Sequence, residues 1–157
     1  MQLHKILFVL VLIYSPLIYA NPYNVGDKLP ALSLSDQHDK ARDISEQTQV
    51  ILFSRDKAGG SLLTSALSNI PDNFLSEHNI ILISDISRMP GFISKYIAIP
   101  SMRKNNYSML LDHDGSSTKK YPDHSDTATL IVIESLQIKK IVYLASTDDI
   151  KQALKLK

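Results

Sequence analysis

Three observations on this chain predict an α/β fold built on a central mixed sheet. Two solidly apolar, β-rich runs, residues 50–53 and 80–83, flank a stretch where Leu62, Leu63, Ala66, Leu67 and Ile70 recur at helical spacing. Two more β-rich runs, residues 129–133 and 138–144, are separated only by Glu134-Ser135-Leu136-Gln137. The last stretch has Asp148 and Asp149 at its start and Lys155 and Lys157 at its end, the charge order that complements a helix dipole. The pattern is a βαβ half, then a β-hairpin and a C-terminal helix.

The elements follow in order. Residues 21–30 read as an extended lead-in punctuated by Gly26 and Pro30, and 31–34 as a weak strand ending in a polar turn at 36–40. Residues 50–53 are apolar at every position, the mark of a strand covered on both faces. Pro71 ends or kinks the helix that follows. The strands at 50–53 and 80–83 should be parallel, because a helix joins them. Phe92, Tyr96 and Ile97 predict a short helix after Pro90-Gly91, closed by Pro100. Residues 107–111 predict a third strand, and Asp112-His113-Asp114-Gly115 a turn. The hairpin should be antiparallel, and Ser146 or Thr147 should cap the final helix.

The N-terminus reads as a targeting segment. Lys5 precedes a 13-residue, mostly apolar run at 6–18, and Ala20 suits a signal-peptidase cut. A membrane-spanning helix needs roughly 20 apolar residues, so this run is a signal peptide of residues 1–20 rather than an anchor. The expected product is one domain, 21–157, secreted to the bacterial periplasm and off the membrane once the signal is cut. Lys5 is the one charged residue in 1–20, which leaves 16 basic and 16 acidic residues in 21–157. That neutrality argues against nucleic-acid binding. The chain contains no cysteine, so no disulfide staples it.

The order of elements resembles the thioredoxin-like fold, a three-layer α/β sandwich. Val25-Gly26-Asp27-Lys28-Leu29-Pro30 followed by Leu32-Ser33-Leu34-Ser35-Asp36 is similar to the start of peroxiredoxin and thiol-disulfide oxidoreductase domains, and Asp112-His113-Asp114-Gly115 to their turn before the hairpin. Ser84-Asp85-Ile86-Ser87-Arg88-Met89-Pro90-Gly91 is similar to a strand-end turn of the YtfJ family, small periplasmic proteins without the cysteines. The resemblance places Ala58 and Ser61 where this fold carries Cys-x-x-Cys, and Ala128 where it carries a cis-proline. Thiol redox chemistry needs a thiolate, and disulfide transfer a resolving sulfur. Ala58 supplies neither, and the Ser61 hydroxyl stays protonated without an activating base. A non-proline cis bond costs several kcal/mol, so a trans peptide is expected before Ala128.

These readings leave a binding module as the expected function, for a peptide, a protein partner or a small anion, rather than a thiol oxidoreductase or peroxidase. The candidate surface joins Lys57, Ala58, Gly59, Gly60 and Ser61 to Thr127 and Ala128. Two readings stand at this helix start: its free N–H groups hold an anion with Lys57 and Arg55 nearby, or Ser61 simply caps the helix and the glycines keep the turn. A second candidate is a ligand or partner loop with Asp85, Arg88, Arg103 and Lys104, set beside Tyr107. Lys119-Lys120-Tyr121 and Lys139-Lys140 read as solvent-facing positions that blunt sheet edges. The alternative is an enzyme with non-thiol chemistry at the same junction. A metal held by His113 and His124 with Asp112 and Asp114 matches no familiar ligand spacing. A flavin-associated oxidoreductase finds no glycine-rich fingerprint in the chain. No cofactor is expected.

Overall fold

The computed structural model describes residues 21–156. The expected signal peptide lies outside them, as does Lys157. Each central strand owes its place to apolar residues on both faces. In β3 (Val50–Ser54) the side chains of Ile51, Leu52 and Phe53 are wholly buried. Leu52 joins a core of Leu63, Leu67, Leu82, Leu130 and Ile150 on one side of the sheet. Ile51 and Phe53 join Ile44, Ile83, Ile131 and Ile138 on the other.

The sheet runs β5–β4–β3–β6–β7. As predicted, β3 pairs parallel with β4 (Ile80–Asp85), while β6 (Ala128–Glu134) and β7 (Gln137–Leu144) form an antiparallel hairpin. β6 is antiparallel to β3, which makes the sheet mixed. The turn is tighter than expected: Ser135 and Leu136 alone make it, both at positive φ (47° and 67°). The third strand starts later than the sequence suggests, because Tyr107 and Met109 bury themselves before β5 (Leu110–Asp112) joins β4. A two-stranded sheet of β1 (Leu32–Ser35) and β2 (Ala41–Ile44) stands beside the main one. Its turn is held by Asp36, whose carboxylate accepts from the N–H groups of His38 and Lys40 and from the Ser108 hydroxyl. Burial alone would raise the Asp36 pKa, but these donors hold the carboxyl below its ordinary range.

Helix α1 (Lys57–Ala66) follows β3, and α2 (Phe74–Glu77) follows the break at Pro71. Lys139 and Lys140 lie exposed on the edge strand β7, as predicted. Tyr121 does not face solvent beside Lys119 and Lys120. Its ring is 3% exposed and packs on Phe53, because an aromatic ring gains more from the core than a turn position offers. The C-terminal helix (Thr147–Leu154) is capped by Ser146, whose hydroxyl accepts from the Asp149 N–H.

The helix predicted after Pro90-Gly91 does not stop at Pro100. Helical backbone runs from Gly91–Ile93 through a π-turn at Ser94–Ala98 into Ile99–Met102. A proline within a helix clashes with the carbonyl four residues back. Here the ladder widens just ahead of Pro100, with the Ile99 N–H donating to the Ser94 carbonyl five residues back.

Candidate functional site

β3, β4 and β5 run parallel, so their C-terminal ends open on one end of the sheet. Ser54, Asp85 and Asp112 stand there, and the β3–α1 junction and the 91–102 helix both leave from that end. Helix α1 starts before the four residues the sequence singled out, so Ala58, Gly59, Gly60 and Ser61 form its first turns. Its cap is Asp56 and not Ser61: the Asp56 carboxylate accepts the Gly59 N–H at 2.8 Å and, with its second oxygen, the Asp126 N–H at 2.8 Å. Asp56 wins because its backbone is extended just where the helix begins, the geometry of a capping residue. Ser61, already inside the helix, donates back to the Lys57 carbonyl. The anion position at this helix start is thus taken by the chain's own carboxylate.

The structure does bring the two walls of the candidate surface together. A Cβ built on Gly59 would lie 2.2 Å from the Thr127 carbonyl oxygen and 2.8 Å from its carbon. Helix and strand backbone are in contact, and glycine is what allows it. Ala128 and Thr129 are 0% and 1% exposed, so of this wall only Thr127 reaches the surface. There is no cis peptide among the described residues, so the bond before Ala128 is trans, as expected. Lys57 and Ser61 are exposed, and Ala58 and Gly60 half-buried.

Beside the junction lies a polar cluster that sequence reasoning did not assemble. Asp85 and Asp112 are register partners at the strand ends, 7% and 2% exposed. The Thr118 hydroxyl reaches both carboxylates, at 2.8 Å from Asp112 and 3.2 Å from Asp85. Asp112 also accepts the N–H groups of Gly115 and Thr118, while Asp85 accepts that of Ser87. Arg55 brings a positive charge to the cluster, with Nε 3.7 Å from Asp85 and 3.3 Å from Asp123. Its Nη2 donates to the carbonyls of Thr118 and Tyr121, at 2.7 and 3.1 Å. Gly115 sits at φ +73°, and a Cβ there would meet the Ser87 hydroxyl at 2.7 Å. The Asp-x-x-Gly motif was the signal for this cluster; its partners Arg55 and Thr118 come from loops with no pattern of their own.

The other predicted sets come apart. Asp85 is buried in that cluster rather than displayed on a loop. Arg103 donates to the Gln37 carbonyl and pairs with Asp39 at 3.0 Å, which ties its loop to the β1–β2 turn. Arg88 and Lys104 remain exposed, but Tyr107 is 5% exposed, because its ring fills the core beside Met109. The metal alternative is not assembled. Asp112 is spent on backbone donors, Asp114 accepts from Ser116, His124 stacks on Tyr143 at 3.8 Å, and His113 stands apart on the exposed turn. Among the described residues no three acidic or histidine side chains gather at one point. A cleft of about 430 Å³ lies at the start of β4, the opposite end of the sheet, lined by Arg42, Leu75, Ile81 and Tyr107 among others.

The fold is thioredoxin-like, as solved structures show. A peroxidoxin from Mycobacterium tuberculosis aligns with a TM-score of 0.54 at 17% identity, over 83% of this chain and 94% of its own. The thioredoxin domain of a thiol-disulfide oxidoreductase from Bacteroides vulgatus aligns with a TM-score of 0.54 at 11% identity, over 85% and 96%. At such identities the likeness is one of fold. No family model and no curated protein matches the sequence.

Proposed function

We propose that this chain is a secreted, periplasmic binding module that has kept the thioredoxin scaffold and carries no thiol redox chemistry. The observation behind this reading is the junction itself. Ala58 and Ser61 stand on the first turns of α1 with no sulfur between them, and the Asp56 carboxylate occupies the Gly59 N–H at the helix start. A peptide or protein partner suits this end of the sheet better than a small anion, since Lys57, Ser61, Arg88 and Thr127 offer side chains rather than an empty cradle. Secretion is supported by the apolar run at 6–18. No helix among the described residues is long and apolar enough to cross a membrane.

Amide chemical shifts recorded while a library of extended peptides is added test the reading. The expected perturbations cluster at Lys57, Ala58, Ser61, Arg88 and Thr127. Perturbations confined to the cleft around Ile81 and Tyr107 would move the site to the other end of the sheet. Reduction of insulin or of peroxide with thiol donors, above a protein-free control, would overturn the absence of redox activity.

A further inference from the structure

The 91–102 helix shows the solvent what the rest of the chain hides. Five large hydrophobic residues are exposed among the described residues, and three of them sit here: Phe92 at 68%, Tyr96 at 62% and Ile97 at 56%. Phe92 and Tyr96 pack on each other, with ring centroids 5.3 Å apart. The spacing of 92, 96 and 97, four and five residues apart, sets all three on one side of a helix with a π-turn. Ile99 and Met102 take the other side and pack on the core. The helix therefore has two apolar sides, and the fold covers one.

Charge says what would cover the other. From residue 86 to 111 the chain has four cations, Arg88, Lys95, Arg103 and Lys104, and no acid, although residues 21–157 as a whole carry equal numbers of basic and acidic residues. Arg103 is matched by Asp39, while Arg88, Lys95 and Lys104 form no salt bridge among the described residues. Lys95 Nζ lies 5.5 Å from the Tyr96 ring centroid, which sets a cation directly beside the aromatic pair. Exposed aromatic and aliphatic side chains with a lysine beside them, in a segment that has cations and no acid, fit the headgroup layer of an anionic bilayer. The rings enter the acyl boundary and the cations meet lipid phosphates. A bilayer also asks for no shape-matched groove, and neither the cleft at the start of β4 nor the one between residues 46–50 and 132–135 is lined by these residues.

We infer that the 91–102 helix is a peripheral membrane-contact element that docks on anionic lipid through Phe92, Tyr96 and Ile97 with Arg88, Lys95 and Lys104. This runs against the expectation that the chain stays off the membrane once its signal is cut, and the vesicle experiment below decides between them.

The chain has no tryptophan, so Phe92→Trp makes a reporter at the contact itself. Its emission should shift to the blue with vesicles of phosphatidylcholine and phosphatidylglycerol, and stay unchanged with phosphatidylcholine alone. Adding Lys95→Glu should weaken partition roughly fivefold or more, and added salt should weaken it further. Adding Tyr96→Ser and Ile97→Ser should cost roughly tenfold or more, with the far-ultraviolet circular dichroism unchanged. No shift with anionic vesicles, or a shift that ignores Lys95→Glu and salt, overturns the inference. An equal shift with a polyglutamate peptide would assign the surface to an acidic protein instead. A shift that grows with protein concentration in the absence of lipid would assign it to a second copy of this chain.

Discussion

The β3–α1 junction and the 91–102 helix leave the same end of the sheet and have opposite characters. At the junction the backbone is held by the chain's own groups. Asp56 takes the Gly59 and Asp126 N–H groups, Ser61 binds back to Lys57, and Gly59 lies against the Thr127 backbone. On the helix, Phe92, Tyr96 and Ile97 are left uncovered and their neighbouring cations unpaired. The junction's backbone is tied down within the chain, while the helix that follows β4 leaves an apolar side uncovered.

That contrast can be broken from the junction side first. Gly59→Ala should destabilise the protein most, by about 3 kcal/mol, because its Cβ meets backbone that cannot rotate away. The check is a lower urea midpoint. Asp56→Ala should cost about 1–2 kcal/mol, since it removes a helix cap and leaves the Asp126 N–H without its acceptor. Asp36 tests the side sheet by pH. Its carboxyl titrates below the ordinary range when folded, so it stabilises the protein above that range. That contribution is lost as pH falls below about 4, through the unfolded value toward the lower folded one. Asp36→Asn should flatten this acid limb of the stability profile and leave a lower plateau at neutral pH. Phe92→Ser should change stability least, within about 0.5 kcal/mol, because its ring touches mainly solvent and Tyr96.

The fold was legible where local pattern and final environment agree. The apolar runs that became β3 and β4, the hairpin and the Ser146 cap all follow from periodicity and capping chemistry. The candidate junction was legible as a place, since Gly59 and Thr127 do meet, but its wiring was not. The expected Ser61 cap put the helix start five residues after the Asp56 cap, at a boundary that periodicity fixes poorly. Pro100 looked like a stop because a π-turn that absorbs a proline leaves no pattern in sequence. The Arg55–Asp85–Asp112–Thr118 cluster could not be read, because its members come from four separate segments brought together by strand register. The exposure of Phe92, Tyr96 and Ile97 was hidden as well: an apolar residue at helical spacing predicts a buried face, and only the packing of Ile99 and Met102 shows which side won.

Native-state hydrogen exchange compares the two regions in one experiment. The account predicts slow exchange at the Gly59, Gly60 and Asp126 amides, whose acceptors Asp56 holds, and fast exchange at the Tyr96 and Ile97 amides on the uncovered helix. Equal protection at both, or faster exchange at Gly59 than at Tyr96, would contradict a closed junction beside an open helix.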